Sequence, residues 1–148
     1  MKLAIGSDHG GFTLKAAIKK HLDARGIAYG DFGCHSLESV DYPMIAQTVA
    51  KAVASGEYDR ALLFCGTGIG ISIAANKVKG IRAACCSDYF SAKYTRMHND
   101  ANILCLGGRV VGEGLAVELV DIFLDTEFEG GRHSRRIDQI SQIESQEE

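Results

Sequence analysis

Short apolar runs alternate along the chain with longer stretches in which apolar residues recur three and four positions apart. That alternation is the pattern of βαβ units around a parallel sheet. A strand covered on both faces is apolar throughout, whereas a covering helix needs only one apolar side. Lys2–Gly6 predicts a first strand, and Gly11–Arg25 a first helix with Phe12, Leu14, Ile18 and Leu22 at helical spacings and lysines between them. Gly26 is a natural stop. A second strand is expected over Ala28–Phe32. A helix then runs from Tyr42-Pro43 to Ala54, proline being suited to a first helical turn.

Ala61–Cys65 is a compact apolar strand, followed by a glycine loop and a helix to Lys77. Ile81–Cys86 and Ile103–Leu106 predict the fourth and fifth strands, with a short helix over Asp88–Met97 between them. Leu115–Leu124 carries a strong helical stripe. Gly130-Gly131 interrupts the chain before a last helix, in which Ile137, Ile140 and Ile143 are expected to bury one side. The polar Ser145–Glu148 end is expected to fray. With no repeat, low-complexity tract or linker, residues 1–148 read as one domain. The expected fold is α/β: a single doubly wound, Rossmann-like domain with a five-stranded parallel sheet flanked by helices.

Composition narrows the function classes. A length of 148 residues suits one domain, and 46% hydrophobic residues suffice for a substantial core. A net charge of −3 lacks the basic footprint of a general nucleic-acid binder. No apolar run nears the ~20 residues that span a bilayer, and the start of the chain lacks the regions of a signal peptide. The five cysteines, at 34, 65, 85, 86 and 105, form no Cys-x-x-Cys pair, so neither a disulfide framework nor a zinc cluster is expected. A reduced, cytoplasmic setting follows.

In a doubly wound sheet, ligands bind beyond the carboxyl ends of the strands. The residues there are Asp8-His9, the loop Cys65–Ser72, Ser87-Asp88 and Gly107–Arg109. In the loop, Gly66, Gly68 and Gly70 let backbone N–H groups approach an oxyanion, and the following helix terminus favours negative charge. The same terminus would lower the Cys65 pKa from a reference near ~8.5. A thiolate beside such donors suits proton abstraction next to a carbonyl. A tight turn around a buried cysteine fits the same residues equally well. A dinucleotide-binding pattern matches only in part: Ile71 and Ile73 stand where a third glycine belongs, and the loop follows the third strand rather than the first, although Asp88 stands near the place of a ribose-binding acid.

Other positions carry similar double readings. Asp8 could orient a hydroxyl or cap a helix. His9 could bind phosphate. His98, closing a helix, is either stabilised by the helix terminus or poised as an acid. Arg132 and Arg136, four apart, are either a phosphate clamp or a solvated basic face. Cys85, Cys86 and Cys105 read as structural, and Cys34-His35 gathers no further metal ligands in sequence.

Taken in order, several segments together resemble the type B ribose-5-phosphate isomerases, within the bacterial pentose- and hexose-phosphate isomerases. They are Gly6–Gly11, Asp41–Pro43, Cys65–Lys77, Gly80–Ala83, His98–Asn102 and Gly130–His133. The resemblance spans essentially the whole chain. It implies interconversion of D-ribose 5-phosphate and D-ribulose 5-phosphate through an enediolate, with no metal and no organic cofactor. Cys65 resembles the proton-transfer base and His98 the acid that assists ring opening, helped by Asp8 and Thr67. The backbone of Gly66, Thr67, Gly68, Ile69 and Gly70 would hold the enediolate oxygens. His9, Arg132 and Arg136 resemble phosphate and substrate contacts, and Tyr42, Asn99 and Arg109 pocket-lining groups. Members form homodimers, sometimes paired into tetramers, with sites shared between subunits. Some use a glutamate in place of the cysteine, and the related galactose-6-phosphate isomerase divides the motifs between two chains; here one chain carries both sets. Allose 6-phosphate, a six-carbon substrate, is an alternative. A nucleotide-binding or signalling module is the alternative of a different class.

Overall fold

The computed structural model describes residues 1–146 and holds a five-stranded, all-parallel sheet with six helices. The strands are β1 (Leu3–Ser7), β2 (Tyr29–Asp31), β3 (Arg60–Cys65), β4 (Ala83–Cys85) and β5 (Ile103–Gly107). The helices are α1 (Phe12–Ala24), α2 (Tyr42–Ala54), α3 (Ile69–Ala75), α4 (Tyr89–Asn99), α5 (Glu113–Asp125) and α6 (Arg132–Gln146). Strand order across the sheet is β2-β1-β3-β5-β4. The direction of winding therefore reverses between β1 and β3, which makes the carboxyl ends of those two strands the natural ligand crevice.

Period-two alternation divides the central strands between two apolar layers. Leu62 and Phe64 join Leu14, Ile18, Leu119 and Phe123 from α1 and α5 on one face. Ala61, Leu63 and Cys65 join Val49, Val53 and Ile71 from α2 and α3 on the other. Leu62, Leu63 and Phe64 are completely buried, each contributing roughly 1.5–3 kcal/mol over an exposed position. Among the described residues, no helix is long and apolar enough to cross a membrane.

The edge strands are shorter than expected. Three residues of β4 pair, rather than the six of Ile81–Cys86, because β5 is its only neighbour among the described residues and Arg82 bonds instead to Asn99, Asp100 and Asn102. In α1 one lysine is not on the surface. Lys15 is 1% exposed and donates to Asp31 Oδ1 at 2.7 Å and to the Cys34 carbonyl at 2.6 Å. Burial alone would raise the Asp31 carboxyl. Bonds from Lys15, Lys19 and the Gly33 N–H outweigh it and bring the group from 3.8 to about 2.

The largest departure concerns α6. Ile140 and Ile143 are 43% and 60% exposed rather than buried, and His133 is its one buried residue. The helix stands outside the two layers and touches the body mainly through α4. Ile140 and Ile143 line an open groove of about 910 Å³ with Asn76, Ile81, Ala83 and Asn99. Ser145 and Gln146 are helical rather than frayed, because α6 continues through them; the rest of the expected frayed end, Glu147 and Glu148, lies outside the described residues.

Candidate active site

Three strand-to-helix loops interlock at the β1–β3 crevice. The Asp8 N–H donates to the Phe64 carbonyl at 3.1 Å, the Gly108 N–H to the Cys65 carbonyl at 2.8 Å, and the Arg109 N–H to the Gly66 carbonyl at 3.0 Å. Such contact between backbones requires residues without side chains. A Cβ on Gly10 would lie 3.0 Å from the Gly66 nitrogen, and one on Gly108 only 2.5 Å from the Gly10 carbonyl oxygen.

Cys65 is the last residue of β3, buried, with its sulfur on the α2–α3 side. Its Sγ accepts the Gly68 N–H at 3.1 Å. That bond depends on Gly68 adopting φ +79°, a left-handed conformation in which a side chain is strained and would also meet the Leu106 backbone at 2.8 Å. A sulfur that accepts a backbone N–H is held with its lone pairs oriented, as a base must be. Thr67 Oγ1 accepts the Ile69 N–H at 3.1 Å and caps the turn from within. The Tyr42 ring packs on Gly70, where a Cβ would lie 2.7 Å from it. The Arg109 guanidinium reaches over Gly66, with Nη1 3.3 Å from where a Cβ would stand.

Asp8 is buried, and its Oδ1 accepts the Gly11 N–H at 3.1 Å, closing the turn into α1. His9 Nδ1 accepts the Val40 N–H at 3.2 Å. That bond puts the neutral ring's proton on Nε2, which makes Nε2 the donor available to an anion. Asp8, His9, Tyr42, the Cys65–Gly70 loop and Arg109 thus form one rim around the carboxyl end of the sheet.

The other candidates lie elsewhere. α4 starts beyond the carboxyl end of β4 and runs back along the sheet, so His98 is about 14 Å of helix from Tyr89. Asp100, at φ 45°, ends α4, and the buried Arg96 holds that end by donating to Asp100 Oδ1 at 2.8 Å and to the Ala101 carbonyl at 2.6 Å. The Asn99 carbonyl accepts from Arg82, the residue before β4. His98 and Asn99 therefore sit near the amino ends of β4 and β5. Arg132 and Arg136 lie exposed in the first turns of α6, beside them. One chain assembles most of the expected residues at one edge and leaves His98, Asn99, Arg132 and Arg136 at the other.

Sequence reasoning overlooked three groups. Cys85 is exposed rather than structural. Its Sγ lies 3.8 Å from the Thr67 carbonyl, against the loop, while burial pushes the Cys86 thiol to about 11 and that of Cys105 well upward. His133 is buried and stacks on His98, with ring centroids 4.1 Å apart and planes 13° from parallel. Burial and then the neighbouring His98 lower its pKa. Glu129 Oε2 lies 3.7 Å from His98 Nε2 and 3.9 Å from His133 Nε2. The sequence signals were the four-residue spacing of Glu129 and His133 and the place of His133 in the Gly130–His133 segment. Asp88, the acid a dinucleotide site would use, instead caps α4 by accepting the Ser91 N–H at 2.7 Å.

A family model described as ribose/galactose isomerase matches residues 3–140. The ribose-5-phosphate isomerase B of Escherichia coli is 53% identical over 143 residues, covering 97% of this chain and 96% of that protein. A D-erythrulose-4-phosphate isomerase of Pectobacterium atrosepticum is 42% identical, covering 99% and 97%. Among solved structures, ribose-5-phosphate isomerase B of Clostridium thermocellum matches with a TM-score of 0.98 at 56% identity over the full length of both chains. The Mycoplasma genitalium enzyme with bound ribulose-5-phosphate matches at 0.93 and 42% identity, covering 97% of this chain and 96% of that one.

Proposed function

The chain belongs to the ribose/galactose isomerase family, and from that premise we propose that it interconverts D-ribose 5-phosphate and D-ribulose 5-phosphate. In this reading Cys65 removes the proton from C2 of the open aldose and returns it to C1. The electron pair moves through an enediolate whose oxygens face the N–H groups of the Gly66–Gly70 loop. His98 protonates the ring oxygen as the furanose opens. Thr67 and Asp8 orient hydroxyl groups, while His9, Arg109, Arg132 and Arg136 take the phosphate and the polar end of the sugar. Tyr42 and Asn99 line the cleft. No step requires a cofactor.

The observation that carries the reading is the Cys65 sulfur, fixed by the Gly68 N–H at the mouth of the β1–β3 crevice. A second observation supports a homodimer with shared sites. His98, Asn99 and the two arginines stand at the far edge of their own sheet, and α6 leaves an apolar stripe uncovered beside them. A second copy that covers that stripe can carry these groups to the first copy's Cys65. A cytoplasmic enzyme of sugar-phosphate metabolism is the corresponding role. The D-erythrulose-4-phosphate isomerase among the relatives indicates that substrate length varies in the family, so a hexose phosphate such as allose 6-phosphate is the second reading.

Turnover of ribose 5-phosphate and allose 6-phosphate by the purified protein, followed by ketose formation, tests the substrate. Cys65→Ala should abolish exchange of the C2 proton with solvent while substrate still binds. Exchange that persists in this variant would remove Cys65 from the role of base.

A further inference from the structure

We infer that His98, Glu129 and His133 form a binding site for one divalent transition cation of the zinc type. Each residue offers a ligand atom, and the three atoms lie within 4.8 Å of one another. Two imidazole nitrogens and one carboxylate oxygen suit zinc, cobalt or nickel rather than magnesium or calcium, which prefer oxygen alone. The independent sign of a ligand is His133. It is 5% exposed, and its Nε2, facing Glu129, has no hydrogen-bond partner among the described residues. An unsatisfied buried nitrogen is costly, and a cation accepts its lone pair.

The scaffold is held firmly. The Glu129 N–H donates to the Met97 carbonyl at 3.0 Å, which ties the segment before α6 to the end of α4. The His133 N–H donates to the Gly130 carbonyl at 3.2 Å. Tetrahedral bonds of about 2.0–2.1 Å place ligand atoms roughly 3.4 Å apart. The separations of 3.7 and 3.9 Å from Glu129 are close to that spacing. The two stacked rings must splay so that their lone pairs converge. That movement falls to His98, whose side chain is 38% exposed, because His133 is enclosed. The fourth position remains for water. A cation here also takes the Nε2 lone pair of His98 from proton chemistry, a consequence that rests on the isomerase reading. Binding itself does not.

The test is therefore made without substrate, on the full chain kept reduced. Zinc is titrated calorimetrically, and cobalt(II) is followed by the visible absorption of a four-coordinate site. One cation per chain should bind, with affinity at least about tenfold lower in Glu129→Gln and in His133→Ala. It should be retained in a Cys65→Ser/Cys85→Ser variant, and magnesium should give no binding heat. Glu129 is exposed, so Glu129→Gln tests the site even if His133→Ala disturbs α6. Affinity unchanged in Glu129→Gln, or lost in the thiol variant, would overturn the assignment.

Discussion

Gly107, the last residue of β5, pairs with Cys65 and packs against the loop that follows it. A Cβ at this position would lie 2.5 Å from the Thr67 carbonyl oxygen and 2.6 Å from its carbon, where ordinary contact begins near 3.4 Å. The obstacle is backbone, so no rotamer change relieves it. Gly107→Ala must drive Thr67 back by about 0.9 Å. Overpacking of this kind costs about 1–3 kcal/mol, and a chain of this size loses about 2–4 °C of Tm per kcal/mol, a fall of roughly 2–12 °C. The effect on chemistry should be larger. Thr67 lies between Cys65 and the Gly68 N–H that orients its sulfur, and misplacing reacting groups by about 1 Å costs on the order of 100-fold in rate. Calorimetry and ribose 5-phosphate turnover well below Tm should therefore give a modestly destabilised protein with kcat reduced about 100-fold. Gly114→Ala is the control: nothing lies within 4 Å of its Cβ, so activity should not change. A Gly107→Ala protein with lowered Tm but near-normal turnover would refute the link between loop position and catalysis.

Three further outcomes are expected. Asp31 has its carboxyl depressed from 3.8 to about 2, so its stabilisation is present above about pH 4 and is lost as pH falls toward 2. The loss amounts to about 2 kcal/mol, and urea melts across that range should lose this component of the pH slope in Asp31→Asn. Lys15→Met removes the ammonium shared by Asp31 and the Cys34 carbonyl; with Lys19 still bonded to Asp31, chemical denaturation should give a loss of about 3 kcal/mol, the low end for a broken buried pair. If sites are shared, mixing inactive Cys65→Ala with inactive His98→Ala under subunit exchange should restore activity, to about a quarter of wild type for random dimers. No recovery after verified exchange would mean that each chain works alone.

Local patterning made much of the architecture legible. Helix α2 spans Tyr42–Ala54, as Tyr42-Pro43 and the apolar spacing predicted, and the strands expected at Lys2–Gly6, Ala61–Cys65 and Ile103–Leu106 are β1, β3 and β5 within one residue at each end. These elements were readable because burial on both faces, proline geometry and helical period act over a few residues. The Cys65 loop was readable for the same reason, since its glycines serve a turn confined to the loop itself.

What lay beyond that range was decided by the tertiary structure. The order β2-β1-β3-β5-β4 arises from which strands meet after long crossovers, and it brings Asp8 next to Phe64 and Cys65. Cys85 reads as a core residue in an apolar run, yet the brevity of the β4 edge strand exposes it against Thr67. Ile140 and Ile143 announce a buried face, but α6 lies where the described residues leave them largely uncovered. His98, Glu129 and His133 meet because the Met97 carbonyl anchors Glu129 and the turn at Gly130-Gly131 carries the chain back past the end of α4. Periodicity specifies which side of an element seeks cover. Only the packing of distant segments determines what supplies it, and which polar groups are thereby brought together.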